Sequence, residues 1–198
     1  MMHAAVAVVA FVAVAGAVFW LSEQQARKMQ VGIPDFSSQE FRLTDQSGAS
    51  RSAADFAGAP VALFFGYTYC PDVCPMTLTL LANALDEVGD RGLDTAALQT
   101  IFVTVDAERD TPEQLAAYLS LFDTEVTGLT GSSEALVKVQ RDFGAYASRV
   151  EREDGVALWD HTATVYLYDA DGRFTGTIVF NEPSEFVTEK LARLFQAG

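Results

Sequence analysis

Val61-Ala-Leu-Phe-Phe-Gly-Tyr-Thr-Tyr-Cys-Pro-Asp-Val-Cys-Pro75 is the stretch that decides the fold. Its first five residues are apolar and lie between Pro60 and Gly66, which reads as a strand buried on both faces. From residue 76 to about 88, Leu78, Leu81, Leu85 and Val88 recur at helical spacing. A buried strand running straight into an amphipathic helix is the first half of a βαβ unit. The join holds Cys70 and Cys74, the two cysteines of the chain. On a helical first turn, residues four apart share a face at about 6 Å, close enough for a disulfide or for two sulfurs on one metal ion. The unpaired N–H groups of a helix start also favour thiolate, the form that binds metals and attacks disulfides. The bland alternative is a stabilising disulfide or two buried thiols. A disulfide closing so short a loop removes little chain entropy, so it makes a poor staple.

Outward from this join, residues 99–105 read as a second buried strand. Thr111-Pro-Glu-Gln114 opens the next helix, with Thr111 as cap, Pro112 at the first helical position and Gln114 completing a capping box. A helix is predicted over about 133–143 and a hairpin over 146–159 around Asp154-Gly155. Strands over 162–168 and 174–180 flank the turn Asp169-Ala-Asp-Gly172, and residues 183–195 close the chain as a helix. Near the start, Phe41-Arg-Leu-Thr44 and the turn Asp45-Gln-Ser-Gly48 suggest a hairpin. This order predicts an α/β sandwich with a mixed central sheet, of the thioredoxin-like kind.

Residues 4–21 contain no charged or strongly polar side chain. Such a run makes a helix of about 27 Å, close to the ~30 Å of a hydrocarbon core, so a transmembrane anchor is expected there. Ala15-Gly-Ala17 resembles a signal-peptide cleavage site, but no basic segment precedes the run. Residues 22–32 read as a polar linker and 33–198 as one folded domain. Arg27 and Lys28 follow the apolar run, and by charge alone they would hold the domain in the cytoplasm. A net charge of −14 argues against nucleic acid as a partner. It serves solubility, or alternatively a partner with a basic face.

Two sulfurs make a thin metal site, and the chain has two histidines. His3 precedes the apolar run, which leaves His161 in Leu158-Trp-Asp-His-Thr162. A lone histidine before a strand is ordinarily structural. A thioredoxin-like sheet, however, places the start of this strand beside the N-terminus of the first helix. Asp160 is a candidate to orient the imidazole, though a solvated carboxylate reads equally well. Two thiolates and one imidazole suit copper(I), which accepts three ligands. Zinc stays open, with Asp72 or water as a fourth ligand. Tyr67, Tyr69 and Trp159 read first as core and second as a docking surface. Asp106, Arg109 and Asp110 read as a helix-capping ion network rather than a docking site.

The residues carry a resemblance. Gly66-Tyr-Thr-Tyr-Cys-Pro-Asp-Val-Cys-Pro75 is similar to the signature of the SCO/SenC family, copper chaperones named for the synthesis of cytochrome c oxidase. Val105-Asp-Ala-Glu-Arg-Asp-Thr-Pro112 resembles a second family segment, with Ala107 where the family usually has proline, and Asp160-His161 resembles its metal-binding histidine. The resemblance covers about residue 33 to the end. It implies a thioredoxin-like domain anchored in a bacterial inner membrane and facing the periplasm, against the charge signal above. It implies copper, as copper(I) with copper(II) left open, held by Cys70, Cys74 and His161. Its implied partners are the copper-bearing subunit of cytochrome c oxidase and other periplasmic copper chaperones. Cys70 and Cys74 also remain candidates for a redox-active pair in a thiol–disulfide oxidoreductase. A thiol peroxidase fits less well, because no nearby sequence position supplies an activating arginine.

Overall fold

The computed structural model describes residues 32–152 and 155–196. The anchor expected over residues 4–21, and all of the linker but Gly32, lie outside the described residues. Among the described residues no helix is long and apolar enough to cross a membrane.

In chain order the strands and helices are β1 (Leu43–Asp45), β2 (Ser50–Arg51), β3 (Val61–Gly66), α1 (Val73–Asp90), β4 (Gln99–Thr104), α2 (Pro112–Leu119), β5 (Val126–Thr130), α3 (Ser133–Asp142), β6 (Ala147–Glu151), β7 (Ala157–His161), β8 (Val165–Tyr168), β9 (Phe174–Ile178) and α4 (Ser184–Gln196). Seven strands form one sheet in the order β2-β1-β5-β4-β3-β8-β9, and β6 and β7 form a separate two-stranded sheet. β3, β4 and β5 run parallel, while β8 is antiparallel to β3 and β1 is antiparallel to β5. This is the mixed sheet expected.

β3 is buried at all six positions. It lies between β4 and β8, so neither edge meets water, and its uninterrupted apolar run has a place for every side chain. α1 turns Leu78, Leu81, Leu85 and Val88 inward, as the helical spacing required. It packs against α4, whose Val187, Leu191 and Leu194 are buried. Thr111 caps α2 by accepting from the Gln114 amide at 3.3 Å, with Pro112 in the first turn.

Three sequence expectations are corrected. α1 begins at Val73 rather than 76, so Cys74 lies on the helix and Cys70 in the turn before it. The strand expected over 162–168 begins only at Val165, and His161 instead ends β7 of the separate hairpin. β5 was not anticipated: its five residues contain Gly128 and follow no helical or alternating pattern. Tertiary packing explains that glycine, because a Cβ there would stand 2.6 Å from Leu119 Cδ1 of α2.

Candidate metal centre

The exit of β3 fixes the first half of the site. Phe64 pairs with Val165, so the C-terminal end of β3 abuts the start of the antiparallel β8. The loop leaving β3 and the segment entering β8 therefore meet. The first carries Cys70, and the second follows His161 by a few residues. This is the carboxyl end of the parallel strands, where open α/β folds gather their ligands.

Gly66 sets how closely sulfur approaches the sheet. A Cβ at this position would lie 2.7 Å from the Phe102 ring and 2.8 Å from Cys74 Sγ. Only a residue without a side chain lets α1 seat Cys74 directly on the end of β3. Cys74 is fully buried and Cys70 almost so, and the cysteines are free thiols. The Cys74 amide, at the first turn of α1, donates to Cys70 Sγ at 3.4 Å. His161 Nδ1 faces the Thr162 carbonyl oxygen at 3.1 Å, which turns Nε2 towards Cys74 Sγ at 3.5 Å. The ligand atoms of Cys70, Cys74 and His161 all lie within 4.8 Å of one another.

Electrostatics separates the two sulfurs. The hydrogen bond from Cys74 holds the Cys70 thiol down to about 4, helped by His161 and by amides of the helix start, against the opposing effect of burial. Burial pushes Cys74 strongly up, and the neighbouring Cys70 charge pushes it further. Without metal, then, Cys70 is the thiolate and Cys74 keeps the shared proton. Either role open to the pair starts from this state, since a cation displaces that one proton and a disulfide meets a ready nucleophile.

Around this trio the structure replaces several sequence readings. Asp160 is exposed and pairs with Ser148 across the hairpin, and the backbone carbonyl of Thr162 takes the orienting role proposed for it. Asp72 is the exposed residue preceding α1 and is no part of the ligand cluster. Asp110 does not cap α2. It is wholly buried and accepts from the Thr68 amide at 3.0 Å, the Thr68 hydroxyl at 2.6 Å and the Thr104 hydroxyl at 2.5 Å, pinning the cysteine loop to the end of β4. Thr104, which ends β4 after the apolar Ile101-Phe-Val103, was the sequence signal for this anchor. Tyr67 is buried with its ring edge-on to His161 at 5.6 Å. Burial pushes its phenol up, partly opposed by a hydrogen bond from the Trp159 backbone. Tyr69 is 58% exposed, so the two tyrosines divide between core and surface.

The sequence model of SCO1/SenC matches residues 33–196. The chain belongs to the SCO1/SenC family. Among its curated relatives in this family is the mitochondrial SCO2 homologue of Danio rerio, 39% identical over 152 residues. That match takes in 76% of this chain and 52% of the relative, so the chain spans about half the length of that protein. ScoI of Bradyrhizobium japonicum, solved with copper bound, matches with a TM-score of 0.70 and 39% identity, covering 79% of this chain and 98% of that one. ScoI of Arabidopsis thaliana, also solved with copper bound, gives a TM-score of 0.75 and 30% identity over 81% of this chain and 98% of that chain. The thioredoxin-like reading of the fold holds. The donor set suits such a cargo: two soft sulfurs and one imidazole converge in a buried pocket, the combination preferred by soft transition-metal ions.

Proposed function

We propose that this SCO1/SenC protein is a copper metallochaperone that takes copper(I) as cargo on Cys70, Cys74 and His161. It passes the ion to the dinuclear centre of the copper-bearing subunit of cytochrome c oxidase during assembly. The observation that carries this reading is the convergence of three soft donors within 4.8 Å from two separate parts of the fold. Three ligands leave copper(I) open to attack by an incoming thiolate, which is what handing on a cargo requires. Residues 4–21 act as a single-pass anchor in a bacterial inner membrane, 22–32 as linker and 33–198 as a periplasmic domain that exchanges copper with other periplasmic chaperones. The net charge of −14 disfavours nucleic acid.

The lowered Cys70 thiol favours a second reading, reduction of a target protein's disulfide. Cys70 thiolate would attack one target sulfur, and the other target sulfur would leave as thiolate and take a proton. Cys74, losing its proton, would then displace the first target sulfur. Two electrons pass to the target, leaving a Cys70–Cys74 disulfide.

Copper(I) titration of the reduced full chain against a chromophoric chelator tests the first reading. One ion per chain is expected, with none taken up after oxidation to the disulfide. His161→Ala binding copper(I) as tightly as the native chain would end the three-ligand assignment. Disulfide exchange by the metal-free chain that is no faster than that of free thiol would end the second.

A further inference from the structure

The β6–β7 hairpin shares no ladder with the main sheet, so beyond the β3–β8 pairing that begins at Val165 no ladder holds His161 against the sulfurs. A cleft of about 340 Å³ opens between hairpin and loop, lined by Tyr69, Asp106, Arg109, Arg149, Ala157 and Trp159 among others. Two arginines bridge it. Arg149 pairs with Glu108 at 3.0 Å, but both side chains are largely exposed and such a pair contributes little. Arg109 is different. Its Nε pairs with Asp106, which is buried at the end of β4 and whose amide donates to the Thr104 hydroxyl at 2.9 Å. Its Nη1 crosses to the hairpin and donates to the Ala157 carbonyl at 2.9 Å, at the start of the strand that ends in His161. The guanidinium also lies over the rings of Tyr69 and Tyr67, at 5.0 and 5.9 Å from their centres. Tyr67 in turn meets the imidazole edge-on.

One planar side chain thus touches the end of the sheet, the aromatic residues leading into Cys70 and the strand bearing the third ligand. We propose that Arg109 is a positioning residue that closes the hairpin onto the cysteine loop and so sets the distance between the His161 imidazole and the two sulfurs. The inference rests on the copper reading above and extends it to a residue outside the ligand set. Arg109 touches none of the ligand atoms: it acts through Ala157 and Tyr67. The fork geometry matters as much as the charge, because a lysine can hold Asp106 but cannot also reach Ala157 and lie flat on two rings.

The test uses the reduced full chain and copper(I) in competition with bicinchoninate. Arg109→Lys is expected to lower affinity about tenfold, the scale of a lost outer contact around metal ligands. In a His161→Ala background the same substitution is expected to change affinity by less than about twofold, since Arg109 acts through the imidazole. In the metal-free protein the nuclear Overhauser effect between the Tyr67 and His161 rings should weaken in Arg109→Lys. If Arg109→Lys does not fold, Tyr69→Leu removes one stacked ring from an exposed position, with an expected loss of about two- to fivefold. An Arg109→Lys protein that matches the native affinity and keeps the ring contact overturns the proposal, as does an equal loss with and without the imidazole. With Tyr69→Leu, unchanged affinity overturns it. A native chain that takes up no copper(I) defeats the metallochaperone reading, and the ring contact in the metal-free variant then decides the role of Arg109 alone.

Discussion

The two cysteines and the histidine stand on parts of the molecule built in opposite ways. Cys74 rests on β3, buried at every position and flanked by β4 and β8, with Gly66 and Phe102 closing the space beneath the sulfur. His161 ends a hairpin whose β6 has its last three residues exposed and which is stitched to the rest by side chains rather than by a ladder. The sulfurs are set into the buried sheet, whereas the imidazole is carried by a hairpin held through side-chain contacts. The buried half keeps the two sulfurs in register, and the hairpin, with fewer buried positions, is the half expected to have the lower local stability.

The largest expected effect concerns the sulfurs themselves. In the metal-free reduced protein Cys70 should react with iodoacetamide across neutral and mildly acidic pH and lose reactivity as pH falls through about 4, with Cys74 left unlabelled. The sign follows from linkage. The folded-state value of Cys70 lies below its ordinary value of 9.0, so its contribution to stability is complete above that pH and is lost as pH falls towards about 4. Cys74 is shifted the other way, so its contribution is present below its ordinary value and lost as pH rises beyond it. Because His161 is among the groups that lower the Cys70 thiol, His161→Ala should move the acid limb of the labelling curve upwards. An unmoved limb would mean that the hairpin does not reach the sulfurs in solution.

Next come the two halves as folding units. Phe64→Ala, wholly buried in β3, should destabilise the chain by about 3–5 kcal/mol in urea unfolding, whereas Val150→Ala, 46% exposed in β6, should stay within about 0.5 kcal/mol. Comparable losses would show that the hairpin belongs to the core after all. Gly66→Ala should cost about 1–3 kcal/mol through overpacking against Phe102, and should weaken copper(I) uptake by displacing Cys74. Native-like uptake would mean that the sulfur has room the packing does not suggest. The smallest effect belongs to the exposed bridge, where Arg149→Ala should cost no more than about 1 kcal/mol and the loss should shrink with added salt.

Much of this was legible in the chain. The run 61–65, the periodic leucines after residue 76 and the capping residues at Thr111 located β3, α1 and α2, because burial on both faces, burial on one stripe and a free helix end each leave a local pattern. Cys70, Cys74 and His161 were singled out by rarity and spacing, and the structure brings these same three together. The short β5 went unseen, since a five-residue strand containing glycine has no pattern of its own. Asp160 and Asp72 were overvalued because sequence adjacency does not say where a side chain points. Asp160 on β7 and Asp72 in the turn before α1 are both exposed to solvent.

The sequence by itself determined which groups could hold a soft ion and that a buried strand would deliver two of them to a helix start, since these depend on chemistry and on local periodicity. Only the tertiary structure decided that His161 sits on a separate hairpin, that Asp110 anchors the cysteine loop, and that Arg109 spans the cleft between them. Those facts depend on which distant segments meet, and that is settled by sheet pairing and side-chain reach across more than forty residues of chain, to which no local pattern refers.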